Sequence, residues 1–329
     1  MSTLEQYIDR FLSFGHMNRG FPLYQYDGGH CSYTIHISGI IHGNEVGSLP
    51  AIVQLIEDLE HNRITFGGKI NITLGNLEAS RLNQRFIDAD LNRLFLDAQP
   101  EEHVSTHEGG RAKALMPLLE ECDIILDLHQ TMLASAMPFY IFPNTPISIA
   151  IAEAIGGTAA YIDATPNTDT PPYQCADEFV WRQGKPALTL ELGEAGFHQP
   201  AERTSSIAVQ NLVHLFEALR MQSLLTDIND TTLLSAIQLR RVEPLSWYTT
   251  VHREPYLSEE LQLKPNLINF HPVKKGERLT ADGTPPLLAH CNGRLLFPKY
   301  PKRDSQGAVC ETLPKEIYRI IQEVPSNSH

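Results

Sequence analysis

His42 and Glu45 stand three residues apart, with Gly43 between them, directly after the alternating run Thr34-Ile35-His36-Ile37-Ser38. An imidazole nitrogen and a carboxylate aimed at one point make two ligands of a zinc-type ion. A third is available from His129, which ends the apolar run Asp123-Ile124-Ile125-Leu126-Asp127-Leu128-His129. Two histidines and one glutamate, with a fourth position left for water, form the catalytic kind of zinc site; a structural site is closed by four side chains. Such a set accepts other divalent ions as well. Asp127 shares a strand face with His129 and is placed to orient it. Hydrolysis also needs a group that takes a proton from water and returns it to a leaving amine. Glu191 fits, because it ends the apolar run Ala187-Leu188-Thr189-Leu190, where a carboxylate is hard to explain by packing. Glu194, past Gly193, is its competitor. Arg85, Asn92 and Arg93 crowd a single loop, and guanidinium groups bind carboxylates in pairs of bonds or stabilise an oxyanion.

Residues scattered over 150 positions meet only if strands deliver them to a common edge. Segments 3–14, 48–60, 106–121, 147–155, 179–183 and 205–222 read as helices, and 69–75, 123–129, 139–142 and 187–192 as strands. The helix from 48 is written in Leu49, Ile52, Val53, Leu55, Ile56 and Leu59, spaced by threes and fours. His42 and Glu45 are expected on its opening turn. Segments 76–95 and 166–172 read as loops. Alternating strands and helices predict an α/β layered domain over residues 1–225, with its ligands at the carboxyl edge of the sheet. From about 234 the texture changes. Alternating runs at 236–242 and 287–297, turns at Lys275-Gly276 and Asp282-Gly283, and many prolines predict a smaller β-rich domain over 226–329 that caps the site.

The balance of charge narrows the partners. With 26 basic and 39 acidic residues among 329, the net charge is −13, which argues against nucleic acid or an anionic membrane. A small anionic substrate remains compatible, because a few arginines dominate one pocket. Five scattered cysteines (Cys31, Cys122, Cys175, Cys291, Cys310) without metal-finger or redox spacing read as reduced thiols, and with no signal-peptide pattern the expected location is cytoplasmic.

The stretches Gly39-Ile40-Ile41-His42-Gly43-Asn44-Glu45, Arg85-Phe86-Ile87-Asp88-Ala89-Asp90-Leu91-Asn92-Arg93, Asp127-Leu128-His129 and Leu190-Glu191-Leu192-Gly193 together resemble the ordered signature of the succinylglutamate desuccinylase/aspartoacylase family. That family belongs to the zinc carboxypeptidase-like hydrolases. The resemblance spans about residues 35–195 and implies a mixed sheet flanked by helices. It implies one zinc per chain on His42, Glu45 and His129, with Glu191 as general base and acid and Arg85 polarising the scissile carbonyl. It further implies that Asn92 and Arg93 hold the amino-acid carboxylate, that Arg182 is a further substrate-binding arginine, and that Tyr300 matches a tyrosine reaching the pocket. Met132-Leu133-Ala134 depart from the family's desuccinylases, which carry an Arg-Gly pair there, and this departure implies a preference for another acyl group. The expected activity is zinc-dependent hydrolysis of the acyl amide of an N-acyl amino acid, N-succinylglutamate first, in amino-acid catabolism of the arginine-degrading kind. The alternatives are another N-acyl amino acid, a carboxypeptidase-like peptide hydrolase, or a metal-binding protein without catalysis. A homodimer is left open.

Overall fold

A computed structural model describes the chain except for residues 1, 97, 167–173, 226–230, 306–307, 311–312 and 325–329. Among the described residues one mixed sheet has twelve strands. In chain order these are β1 (His16–Asn18), β2 (Phe21–Asp27), β3 (Thr34–Gly39), β4 (Lys69–Leu74), β5 (Ile124–Thr131), β6 (Phe139–Phe142), β7 (Ala160–Asp163), β8 (Ala187–Glu194), β9 (Ser246–Pro255), β10 (Pro272–Val273), β11 (Gly293–Leu296) and β12 (Glu316–Glu323). Their spatial order is β1-β2-β4-β3-β5-β8-β6-β7-β9-β12-β11-β10. The centre, β4-β3-β5-β8, is parallel, so its carboxyl ends emerge at one edge.

Those central strands are apolar because both faces are covered. Every residue of β5 is buried, as expected for a parallel strand between two helical layers. Helices Leu49–Glu60, Pro146–Ile155 and Gln199–Met221 share one core with the sheet, including Ile52, Ile56, Ile151, Leu212 and Phe216. Helices His107–Glu121 and Ala176–Trp181 pack into a second core with Ile125, Leu115 and Val180. Among the described residues no helix is long and apolar enough to cross a membrane, and all five cysteines are free.

Several expectations change. The stretch 76–95 holds a short helix, Leu77–Arg81, and a 3-10 turn, Leu91–Arg93. The run at 236–242 is not a strand: Thr231–Gln238 is helical and sends Leu233 and Ile237 into the first core. The helix expected at 205–222 starts earlier, at Gln199, one residue before Pro200. His42 and Glu45 precede the helix rather than open it, since the helix begins at Leu49. The expected loop 166–172 lies outside the described residues after Pro166.

Candidate active site

The end of β3 is turned sharply toward the cavity. Ile40 adopts φ of 54° although it is β-branched and fully buried, a conformation disfavoured for such a residue. Gly75 and Asn76 donate their N–H groups to the carbonyls of Gly39 and Ile40 at 2.9 and 2.7 Å, holding the turn in place. Gly43 then passes so close to the Leu77–Arg81 helix that a Cβ would lie 2.4 Å from backbone atoms of Ala79 and Ser80. A further turn, with Glu45 N–H on the His42 carbonyl at 3.0 Å, brings the two side chains together.

His42, Glu45 and His129 are all buried, and one donor atom from each lies within 4.8 Å of the others. Nδ1 of His42 is 2.8 Å from Glu45 Oε1, and Nδ1 of His129 is 2.9 Å from Glu45 Oε2. The other ring nitrogens face carboxylates: Nε2 of His42 lies 3.0 Å from Asp90 Oδ1, and Nε2 of His129 lies 2.8 Å from Asp127 Oδ2. Each outer carboxylate draws the ring proton to Nε2 and leaves the Nδ1 lone pair facing the shared point. Lone pairs aimed at a carboxylate repel unless a cation lies among them. Consistent with this, His42 Nδ1 is buried with no hydrogen-bond partner. The donor set therefore fits a divalent metal ion. Protons on the His42 and His129 rings stand in for an ion at that point, and against the opposing effect of burial they hold the Glu45 carboxyl well below the ordinary range.

Glu191 stands on β8 directly opposite His129 on β5. Burial first, and the nearby Glu45 carboxylate second, push it up to about 7 against the pull of His129 and Arg85. Its Oε2 is buried without a partner. Arg85 donates from Nη1 to Glu45 Oε1 at 3.0 Å and from Nη2 to Asp90 Oδ2 at 3.3 Å. Its loop is organised by Glu108, which accepts backbone N–H bonds from Ile87 (2.7 Å), Asp88 (3.0 Å) and Ala89 (3.1 Å), and a bond from Asn76 Nδ2 (2.9 Å). Asp90 caps the turn after the loop through Asn92 N–H at 3.0 Å. Asn92 Oδ1 in turn accepts from Ala176 N–H at 3.0 Å. His42, Glu45, Arg85, Asp90, Asn92, His129 and Glu191 line a cavity of about 490 Å³, to which Asn269, Phe297, Lys299, Glu316 and Arg319 also contribute.

His42, Glu45, Arg85, Asn92, Arg93, His129 and Glu191 thus share one cavity. Two residues expected there do not join the lining. Arg182 ion-pairs with Glu178 at 2.5 Å on the surface of the Ala176–Trp181 helix, with about half of its side chain exposed. The Tyr300 hydroxyl donates to the Lys264 carbonyl at 2.6 Å and accepts from Leu267 N–H at 3.1 Å, which ties it to a C-terminal loop. Asp90, Glu108, Lys299 and Arg319 escaped the sequence reading. Asp90 had a signal, an acid set among cationic neighbours in one loop, but its partners appear only once that loop is folded.

The sequence profile of the succinylglutamate desuccinylase/aspartoacylase catalytic domain matches residues 32–216. A succinylglutamate desuccinylase of Paraburkholderia xenovorans is 27% identical over 310 residues, covering 88% of this chain and 84% of its own length. A probable aspartoacylase of Synechococcus sp. is 32% identical over 121 residues, 35% of this chain and 40% of that protein. The crystal structure of a succinylglutamate desuccinylase from Vibrio parahaemolyticus shares the fold with a TM-score of 0.66 at 18% identity, covering 97% of this chain and 94% of that one.

Proposed function

The chain belongs to the succinylglutamate desuccinylase/aspartoacylase family of hydrolases, and we propose that it cleaves the acyl amide bond of an N-acyl amino acid, N-succinylglutamate foremost. The observation that carries this reading is Glu191: a half-buried residue whose carboxyl is raised to about 7 and whose buried Oε2 has no partner, set across from His129 in the cavity that holds the His42–Glu45–His129 cluster. A binding protein without catalysis has no use for a proton-transfer group so placed.

His42, Glu45 and His129 would hold one zinc ion, which supplies Lewis acidity toward a carbonyl oxygen and lowers the pKa of water. Asp90 and Asp127 keep the two imidazoles in the tautomer that binding requires. Glu191 takes the proton of the attacking water and passes it to the departing amine. Arg85, held by Glu45 and Asp90, donates to the oxyanion that forms at the carbonyl. Asn92 and Arg93 bind the amino-acid carboxylate. In this reading residues 1–225 carry the chemistry and residues 226–329 close the cavity over it.

Leu133 favours a second substrate within the same reaction. It lines the cavity without charge where an arginine would meet a succinyl carboxylate, so an aspartoacylase-like choice of another acyl group is the alternative. The test is hydrolysis of N-succinylglutamate and N-acetylaspartate by zinc-loaded and chelator-treated protein. Cleavage of either that chelator abolishes and zinc restores is expected; cleavage that persists without metal would overturn the assignment of the cluster.

A further inference from the structure

The pairing of β5 with β8 changes register at the residue after His129. His129 faces Glu191 but Thr131 faces Glu194, so Gln130 on β5 lies opposite two residues of β8, Leu192 and Gly193. One residue against two is a β-bulge, which re-aims neighbouring side chains and gives up ladder bonds to do so. Gly193 adopts φ of 98° within it. Past the bulge the strands are joined again, with Ala195 N–H donating to the Thr131 carbonyl at 2.9 Å. The irregularity therefore begins directly after Glu191.

The side chain of Gln130, itself buried, fills the gap. Its Oε1 accepts from Gly47 N–H at 2.7 Å and from Gly196 N–H at 3.3 Å. Its Nε2 donates to the carbonyls of Glu194 and Gly196, the second at 3.0 Å. Both lone pairs and both hydrogens of the amide are used, and a buried polar group so fully bonded is rigid. The Gln130 backbone N–H donates to Glu45 Oε2 at 2.9 Å, the same oxygen that faces His129 Nδ1. One residue thus holds Glu45 and its loop on one side and the segment following Glu191 on the other. Gly47 leaves the room for it: a Cβ there would lie 2.5 Å from Gln130 Nε2 and 2.7 Å from its Cδ. Gly47 is not in the left-handed region, so what the position requires is space.

We propose that Gln130 is a positioning residue for the reaction: by bracing the β8 bulge to the loop of Glu45, it fixes Glu191 against the His42–Glu45–His129 cluster. The proposal rests on the deacylase reading above, in which Glu191 exchanges a proton with the attacking water. Such a group works only within hydrogen-bond reach of that proton, and a displacement far smaller than a side chain removes it. The backbone bond from Gln130 to Glu45 survives truncation of the side chain, so the brace can be cut while the cluster keeps its ligands.

The test is a cycle of Gln130→Ala, Gly47→Ala and the double variant, as zinc-loaded full chains acting on N-succinylglutamate or N-acetylaspartate. In Gln130→Ala, kcat per bound zinc should fall by about tenfold to a hundredfold, with KM within about twofold of the wild type, as for an effect on the transition state alone. Zinc content by elemental analysis should not change. Gly47→Ala, which pushes the amide off its partners, should lower kcat in the same way, yet lower it no further once Gln130 is alanine. If Gln130→Ala does not fold, Gly47→Ala decides by the same readings. A kcat per bound zinc within about twofold of the wild type, or a loss carried wholly by KM or by missing zinc, would overturn the proposal. If the wild type cleaves neither compound, the deacylase reading fails. Amide hydrogen exchange then decides the brace alone: faster exchange in Gln130→Ala confined to Gly47 and residues 192–197 supports it, and unchanged exchange there overturns it.

Discussion

The division of labour among buried carboxylates is set by what faces each one. Glu45 lies between two imidazoles and is held ionised, whereas the Glu191 carboxyl, poorly solvated and near Glu45, is raised to about 7. Only a group near neutrality both accepts and returns a proton under ordinary conditions. Glu191→Gln keeps the shape and loses that capacity. Its kcat should fall by about 10²–10⁴ while metal content, measured by elemental analysis, stays at the wild-type level; near-normal turnover would move the role to another group. Arg85 answers to a different measurement. Its loss as an oxyanion donor should lower kcat in Arg85→Ala by about 10²–10³, and a rise in KM alone would make it a binding residue. At this scale the sequence was largely legible, because His42, His129 and Glu191 each follow an apolar run that must end at a sheet edge. Lys299 was not, because nothing in Phe297-Pro298-Lys299 tells that the chain folds back over the cavity.

Loops that carry chemistry need an element to hold them, and here it is the first turn of helix His107–Glu121. Glu108 is fully buried, and its two oxygens each take two donors from the segment around Arg85. Burial opposes its charge, but these bonds outweigh it and hold the carboxyl below its ordinary value. A group whose folded pKa is depressed stabilises the fold above its unfolded pKa and loses that contribution as pH falls through the folded value. Glu108→Gln places an amide NH₂ against two N–H donors whichever way it turns. It should therefore destabilise by about 2 kcal/mol near pH 7, and the gap from wild type in thermal or urea unfolding should shrink as pH falls below the ordinary carboxyl range. A gap independent of pH would mean that packing, not charge, holds the loop. The elements that the sequence hid have physical reasons of their own. β12 buries Ile317, Tyr318, Ile320 and Ile321, a pattern broken from strict alternation by register shifts between Glu316 and Tyr318 and between Ile320 and Ile321. Helix Thr231–Gln238 is short, and only Leu233 and Ile237 are buried, too few to display a period.

Across the whole molecule, the β-rich C-terminal part is a continuation of the sheet that carries the cavity. β7 pairs in parallel with β9, joining Ala160 to Ser246 and Ile162 to Tyr248. A core cluster spans the junction, with Phe139, Ala160 and Ile162 from one side and Tyr248, Phe270, Leu296 and Ile321 from the other. The change of texture near residue 234 was readable as composition, but a sheet crossing it was not, since strand pairing is decided by partners far away in sequence. This continuity predicts the fate of a chain ended after residue 225. It would expose the edge of β7, strip Phe139 of its contacts with Phe270 and Phe297, and remove Leu233, Ile237 and Leu245 from the first core. Unpaired edges over exposed apolar surface lead to association. The truncated chain should therefore elute as aggregate in size-exclusion chromatography and lack the sharp thermal transition of the full protein. A monomeric, cooperatively melting fragment would show instead that the first half folds alone and that residues 226–329 were added to a finished enzyme for the shape of its cavity.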